Sequence, residues 1–216
     1  MKRLAASLCA IGFVLIAFTG CSEQNFTEKT YQSGDSTIER IVIEATDREL
    51  EISASEDQQI HIDYFDSEKE YLDFDLSDNQ LTVKLTFDKD WSDYIGFQPS
   101  AEYRKIKIRV PNDMIVDFSA STTNENITVT SLSFVQSVSL DSNGGSILCD
   151  RVNVGKSIDL TAKNGDITGT ILGSLDEFSI SCEIKKGDCN LSNKESGTKS
   201  FAANCNNGNI NIDFVQ

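Results

Sequence analysis

The C-terminal part of the chain alternates hydrophobic and polar side chains in short runs, separated by a recurring glycine-containing motif. The motif ends at Ile147, Ile167, Cys189 and Ile210, so its steps are 20, 22 and 21 residues. A period of this length is typical of one coil of a repeat architecture, in which each unit buries its hydrophobic face only against its neighbours. The spacing therefore predicts a β-solenoid with about 20–22 residues per coil.

Each coil contains two runs of alternating hydrophobicity, one before the motif and one after it. Successive side chains of a β-strand point to opposite faces, so alternate residues enter the core. Glycine and asparagine in the motif suit turn positions with positive φ. The pattern therefore predicts two short strands per coil and two columns of stacked core residues. The first column is Val138, Ile158, Phe178 and Phe201, and the second is Ile127, Ile147, Ile167, Cys189 and Ile210.

The alternation continues upstream with less regular spacing. It is clear at residues 41–43, 50–52 and 106–110, and the last run is stopped by Pro111, which cannot donate to a strand ladder. After the first twenty residues, no 3.6-residue hydrophobic period persists over the length of a helix. Only two prolines occur, and no Ser/Gly-rich interior stretch suggests a linker. The sequence predicts an all-β chain with a single solenoid domain over residues 38–216.

The N-terminus predicts export and a lipid anchor. Lys2 and Arg3 precede an apolar run over residues 4–18, which is typical of a secretory signal and too short for a dependable membrane span. Phe-Thr-Gly before Cys21 resembles the bacterial lipobox, which implies cleavage after residue 20 and diacylglycerol and acyl chains, such as palmitate, on Cys21. Residues 21–37 are then a tether at the extracytoplasmic face of the cell membrane. The alternative is an ordinary signal peptide.

The charge balance is strongly acidic. The chain has 34 acidic and 19 basic residues and a net charge of −15, and removal of Lys2 and Arg3 with the signal leaves 17 basic residues. Nucleic acids and anionic lipid headgroups both require basic surfaces, so neither is expected as a direct partner of the domain. Spread along the chain, the acidic residues favour solubility and protect exposed strand edges.

The cysteines of the repeats are Cys149, Cys182, Cys189 and Cys205. Cys182 follows Phe178 by four residues and Cys205 follows Phe201 by four, so the repeat alignment places both thiols inward on consecutive coils. Adjacent strands are about 4.8 Å apart, which is within the range for a Cys182–Cys205 disulfide. The alternative is a ladder of free, buried thiols that act as small apolar side chains. With a single histidine and no Cys-x-x-Cys motif, we expect no metal site and no cofactor.

An irregular insertion over residues 87–97 is the predicted binding loop. It contains the only tryptophan, and its candidate binding residues are Asp90, Trp91, Asp93, Tyr94 and Phe97. Aromatic rings there could stack on a sugar or a protein partner, and the carboxylates could hold Ca²⁺ weakly. The alternative is that Trp91 and Phe97 fold back and cap the solenoid.

Several of these features together resemble one bacterial family. They are the lipobox-like start, the irregular acidic strands, the strand ending at Val110-Pro111, and the motifs Asn-Gly-Asp-Ile (residues 164–167) and Asn-Gly-Asn-Ile (residues 207–210). This combination resembles the DUF4097 family of β-strand repeat proteins, also called putative adhesins, over residues 38–215. The resemblance implies a β-helix-like protein of the cell envelope, sometimes encoded near envelope-stress systems, with no catalytic residues to carry over.

The sequence therefore predicts a non-catalytic binding or scaffold module anchored in the membrane, with an envelope protein or a glycan as its partner. A first alternative is a carbohydrate-active β-helix enzyme, which needs acidic groups that converge on one face. The outward acidic residues of the coils, such as Asp141, Asp159, Asp166 and Asp188, are scattered instead. A second alternative is a purely structural spacer at the cell surface.

Overall fold

The computed structural model describes residues 25–88 and 98–216, and these residues form seventeen β-strands. The first nine are β1 (Thr27–Gln32), β2 (Arg40–Glu44), β3 (Glu49–Ala54), β4 (His61–Asp66), β5 (Glu70–Ser77), β6 (Gln80–Phe87), β7 (Lys105–Val110), β8 (Asp117–Thr122) and β9 (Ile127–Thr130). The others are β10 (Ser133–Phe134), β11 (Ser137–Ser142), β12 (Ile147–Val154), β13 (Ser157–Asn164), β14 (Ile167–Leu172), β15 (Phe178–Lys186), β16 (Lys199–Asn207) and β17 (Ile210–Val215). The helical elements of the described residues are two short 3₁₀ turns, Ala101–Arg104 and Leu175–Glu177. The predicted all-β fold is confirmed.

The strands form two sheets. The first sheet has the order β1-β4-β7-β3-β9-β12-β14-β17, with β10 beside β12. The second has the order β15-β16-β13-β11-β8-β2-β6-β5. Strands pair in parallel except at one end, where β1–β4, β4–β7 and β5–β6 are antiparallel. We use the word rung for one strand of the second sheet together with the strand of the first sheet that faces it across the core.

The core lies between the two sheets and consists of columns of apolar side chains that continue from rung to rung. In the first sheet, strand pairing aligns Leu50, Ile127, Ile147, Ile167 and Ile210. In the second sheet it aligns Ile41, Phe118, Val138, Ile158 and Phe201. All ten side chains are buried. The predicted columns are confirmed for these residues, and no rung could bury its apolar face without its neighbours.

Two members of the predicted columns are misplaced, because rungs do not stack in chain order. Strand β16 pairs with β13 on one side and β15 on the other. Ile158 therefore lies beside Phe201, and Ile180, not Phe178, is the other neighbour of Phe201. Similarly, Ile167 lies beside Ile210, and Cys189 bridges to the far side of Ile210. The apolar side chains of different rungs are similar, so periodicity alone could not fix the stacking order.

A similar rearrangement occurs at the other end of the stack. Strands β2 and β3 lie between β8 and β9 on one side and β6 and β7 on the other. The predicted tether is also wrong over residues 27–32, because they form β1 and pair with β4. β1 is thus the edge strand of the first sheet at this end.

The glycine motif is explained by close contact between turns. A Cβ atom at Gly165 would lie 2.4 Å from the carbonyl oxygen of Gly145, and one at Gly208 would lie 2.3 Å from that of Gly165. Gly208 also has a φ of 153°, which favours glycine. Beside these glycines, the Asn207 side-chain amide donates to Oδ1 of Asn164 at 2.8 Å. Glycine is therefore needed at Gly165 chiefly so that neighbouring turns can approach, rather than for the predicted positive φ.

Candidate binding groove

An open groove with a volume of about 1240 Å³ lies at the end of the stack that contains β1 and β5. Its walls come mainly from β1, β4 and β5 and from the turns that follow β1 and β4. The first sheet continues through β4 to β1, whereas the second sheet ends at β5. Among the described strands, none continues the second sheet opposite β1. The groove therefore results from the unequal extent of the two sheets.

Three aromatic rings in mutual contact form part of the apolar surface of the groove. Tyr31 of β1 stacks on Phe74 of β5, with ring centroids 4.6 Å apart and planes 7° apart. Tyr64 of β4 packs against the same Phe74 ring at 5.4 Å in a tilted arrangement. Tyr64 is buried, whereas Tyr31 and Phe74 are half-buried and leave part of their surface accessible. Aromatic side chains with both apolar faces and polar tips are well suited to contacting a ligand.

Leu76 adds an exposed apolar side chain to the groove. It lies on β5, lines the groove and is 43% exposed. Two residues earlier on the same strand, Phe74 points into the groove, so both side chains occupy the same face of β5. Apolar surface therefore extends from the stacked rings toward solvent.

The polar part of the groove is predominantly acidic. Asp66 is buried and accepts hydrogen bonds from Nζ of Lys29 at 3.0 Å and from the backbone N–H of Leu72 at 2.9 Å. Burial raises the pKa of Asp66, and the hydrogen bonds from Leu72 and Lys29 oppose that shift. Among the described residues, the other acidic residues that line the groove are Asp35, Glu68 and Asp73, and the only basic one is Lys29. The groove thus favours a neutral or cationic ligand over an anion.

The Tyr64 hydroxyl can contribute a hydrogen bond to this site. Burial, and then the negative charge of Asp66, raises the pKa of Tyr64. Its phenol therefore stays protonated at neutral pH and keeps its ability to donate a hydrogen bond. The groove offers aromatic surface, a hydroxyl donor and carboxylate acceptors within one concave site.

A buried ion pair fixes the beginning of β5 behind the groove. Arg48, in the turn between β2 and β3, donates through its guanidinium to the carboxylate of Glu70, the first residue of β5. Both residues are buried. The hydroxyl of Thr122 in β8 accepts from the backbone N–H of Arg48 and donates to its carbonyl oxygen. The position of β5, and hence of Phe74, is tied to the core by this arrangement.

The predicted lipidation and loop residues lie outside the described residues. These are Cys21, Asp90, Trp91, Asp93, Tyr94 and Phe97, and their predicted roles stay predictions. On one side of the loop, the backbone N–H of Asp88 donates to the carbonyl of Lys69 in the turn between β4 and β5. Ser67 and Glu68 of the same turn line the groove. The described base of the predicted binding loop is therefore adjacent to the groove wall.

The repeat alignment that paired Cys182 with Cys205 is wrong by two residues. Strand pairing places Cys182 opposite Ala203 and Cys205 opposite Ile184. Phe178 and Phe201 precede their glycine motifs in the same way, but the strand partner of Phe201 is Ile180. The four cysteines of the described residues are free thiols in this structure.

The outward acidic side chains of the rungs do not form a column of carboxylates. Asp166 accepts from the backbone N–H of Asn209 at 2.7 Å and so links two turns. Asp159 lies beside Ser139 on one neighbouring strand and Ala202 on the other, not in a column of carboxylates. Within residues 25–88 and 98–216, no group of three or more His, Cys, Asp or Glu side chains could hold a metal ion. In the same residues, no helix is long and apolar enough to cross a membrane.

The groove is not predicted from the sequence, because β1 lies within residues 21–37, which the lipobox-like start assigns to a tether. The usable signal was that Lys29 and Tyr31 alternate with polar residues in β1, as a half-buried strand would. A second signal was the presence of Tyr64 and Phe74 where other rungs place aliphatic residues. Neither signal shows that the first sheet extends beyond the second.

Fold and groove together define a class of all-β proteins whose two sheets are built from stacked parallel rungs and are open at one end. The chain belongs to the DUF4097 family, also called Toastrack, whose model matches residues 38–216. The family predicted from the sequence motifs is thereby confirmed.

Similar solved structures come from bacteria. A putative cell adhesion protein from Clostridium sporogenes is 14% identical, with a TM-score of 0.64 over 89% of this chain and 100% of that one. A putative adhesin from Bacteroides fragilis is also 14% identical, with a TM-score of 0.42 over 88% of this chain and 98% of that one. At 14% identity, the likeness to the Clostridium sporogenes structure shows the fold alone. No protein of curated function matches this chain.

Proposed function

We propose that this protein is a non-catalytic, adhesin-like binding module of the cell envelope. In this proposal, the domain is a β-solenoid held at the extracytoplasmic face of the membrane by lipid on Cys21, and the groove is its recognition site. The observation that carries the proposal is the open groove, where the stacked rings of Tyr31 and Phe74 remain partly accessible. The adhesin names of the similar structures agree with this function but belong to those proteins.

The groove favours a partner with neutral or positive polar groups and an apolar surface. Aromatic rings can stack on the apolar face of a sugar or of a protein side chain. The carboxylates of Asp35, Glu68 and Asp73 can accept hydrogen bonds from hydroxyl or amine groups at the rim. A glycan or an envelope protein meets these requirements, whereas a polyanion would be repelled.

The proposed anchor would keep the groove close to the membrane. β1 begins at Thr27, six residues after Cys21. Six extended residues span at most about 20 Å. Because β1 forms one wall of the groove, its partner would be found near the bilayer rather than far from the cell.

A crosslinking pull-down from intact cells tests this function. The wild-type chain is compared with the variant Tyr31→Ala/Phe74→Ala and with the variant Trp91→Ala/Tyr94→Ala in the predicted binding loop. Retention of fold is checked by circular dichroism and thermal unfolding. A partner lost with the Tyr31/Phe74 variant supports recognition through the groove. Identical partners in all three folded proteins would contradict it, and loss only with the Trp91/Tyr94 variant would assign recognition to the loop.

A further inference from the structure

Five rungs of the stack place two aliphatic side chains across the core at a constant separation in the sequence. Each pair consists of a residue of the second sheet and the residue seven positions later in the first sheet. The second-sheet members are aligned by strand pairing, and so are the first-sheet members. The pairs are Ile43/Leu50, Ala120/Ile127, Leu140/Ile147, Leu160/Ile167 and Ala203/Ile210, and all ten residues are buried.

The sixth rung continues both columns with cysteines. Cys182 lies beside Ala203 in the second sheet, and Cys189 bridges to Ile210 in the first. The two cysteines are also seven residues apart, so they occupy the cross-core position of the aliphatic pairs. Both side chains are half-buried and pack against the core. The strand register and the inward packing of both side chains place the two thiols across the core from each other at the end rung.

Backbone contacts hold each cysteine in this arrangement. The N–H of Cys182 donates to Oδ1 of Asn193 at 2.7 Å. Beyond Cys189, the Asn190 side chain donates to the carbonyl of Ile212 and accepts from its N–H, both at 3.0 Å. The chain then returns to pair Lys194 with Ile180 in an antiparallel bridge. Cys182 is thus held by the segment that returns along the outer edge of β15, and the residue after Cys189 is held by β17.

The two other cysteines of the described residues have no such counterpart. Cys149 lies between Val129 and Gly169 in the first sheet. Cys205 lies between Ala162 and Ile184 in the second sheet. Only Cys182 and Cys189 share a rung among the cysteines that the structure describes.

We propose that Cys182 and Cys189 form a disulfide across the core of the end rung once the protein has been exported. The inference rests on the export element of the proposed function, because disulfides persist in oxidising compartments. The oxidant is a protein or small-molecule disulfide. One thiolate of the pair attacks it and releases one thiol, and the second thiolate then displaces the other. The two cysteines lose two electrons and two protons in total, and the oxidant becomes two thiols.

Such a bond would join the two sheets at the last rung of the stack. β15 is an edge strand of the second sheet, and edge strands open and pair with other chains more readily than central ones. The disulfide would restrict opening of the segment that contains Lys185 and Lys186. Reduction would leave the other rungs intact and loosen this end selectively.

Peptide mapping tests the bond directly. The full chain is purified from cells in the presence of iodoacetamide, denatured without reductant and digested with trypsin. Cleavage after Lys185 and Lys186 separates Cys182 from Cys189, and Cys149 and Cys205 fall in two further peptides. The expected result is a linked pair that contains Cys182 and residues 187–194 and disappears on reduction. Linkage of Cys182 to Cys205 would overturn the proposal.

A second experiment distinguishes a wrong cysteine pair from a protein that is not exported. The purified, reduced chain is incubated with oxidised glutathione and mapped in the same way. A Cys182–Cys189 link formed in vitro but absent in cells would leave the pair correct and contradict export. Free thiols at both positions in vitro would overturn the inference itself. Cys205→Ser should retain the link, and Cys189→Ser should abolish it.

Limited proteolysis provides the structural readout. Trypsin should cut the native protein at Lys185 and Lys186 at least about tenfold faster after reduction, because the cross-link restricts local opening. Cys205→Ser should show the same dependence on reduction, and Cys189→Ser should be cut rapidly with or without reductant. Equal cutting rates in the oxidised and reduced wild type would contradict the proposed restraint.

Discussion

Arg48 and Glu70 form an ion pair inside the protein, between the turn that joins β2 to β3 and the first residue of β5. Their side chains are only 3% and 1% exposed. Buried ion pairs add little to stability as pairs, but removal of one partner leaves a costly buried charge. This pair therefore controls whether β5, and with it the groove, stays in place.

Glu70→Gln should destabilise the protein strongly. We expect the free energy of unfolding to fall by about 3–5 kcal/mol, because the Arg48 guanidinium loses its countercharge in a buried site. Urea unfolding measures the change. The control is Glu44→Gln, which breaks the exposed pair with Lys84 at 2.7 Å and should change stability little. Equal effects of the two substitutions would contradict the assigned role.

Gly165→Ala should be more damaging than alanine at an uncrowded glycine. The new Cβ would lie 2.4 Å from the carbonyl oxygen of Gly145, so the stacked turns would have to separate. We expect a loss of about 1–3 kcal/mol. A Cβ added at Gly34 would meet no heavy atom within 4 Å, but φ there is 56°, so Gly34→Ala reports backbone strain alone. Thermal unfolding should give Gly165→Ala a lower melting temperature than Gly34→Ala. The reverse order would refute the role of packing between turns.

Stability should fall at alkaline pH because of Cys149. Burial raises the pKa of this thiol from its ordinary value near 9 to about 12. The folded state holds this proton more tightly than the unfolded state does. The contribution of the Cys149 thiol to the free energy of unfolding is therefore fully present below about pH 9 and is lost as the pH rises toward 12. Between these two pH values, the free energy of unfolding falls by about 1.4 kcal/mol per pH unit. Urea unfolding between pH 8 and 10.5 should show a shallower decline for Cys149→Ala than for wild type, and parallel declines would contradict the assignment.

Cys21→Ala should release the protein from the membrane. The lipid that the lipobox-like motif implies on Cys21 would bury acyl chains worth about 0.8 kcal/mol per CH₂, and removal of its attachment site removes that affinity. Cell fractionation and labelling with an alkyne fatty acid measure the result. Cys9→Ala, within the predicted signal, is the matched control and should leave labelling unchanged. Labelling of Cys21→Ala at the wild-type level would exclude this anchor.

The core columns could be predicted from the sequence because they depend on local alternation and a regular period. Ile127, Ile147 and Ile167 are twenty residues apart and lie side by side. The position of the last rungs could not be predicted in this way, since Phe201 packs on Ile158 as readily as Phe178 would. This one exchange also shifted the cysteine alignment by two residues.

The groove depends on features that no local pattern contains. Tyr31 faces Phe74 only because β1 pairs antiparallel with β4 while the second sheet ends at β5. The Arg48–Glu70 pair likewise joins residues from separate turns and strands. Sequence alternation identifies these residues as half-buried or charged, and only the strand order brings them together.

Site-specific photo-crosslinking in living cells tests recognition through the groove most directly. A photoreactive phenylalanine derivative replaces Leu76, which lines the groove and is 43% exposed, or Leu148, which is 40% exposed on the outer face of β12. Recognition through the groove predicts a discrete adduct from position 76 that is lost when Tyr31→Ala is added and has no equivalent at position 148. Identical adducts from both positions, or an adduct from position 148 alone, would contradict it.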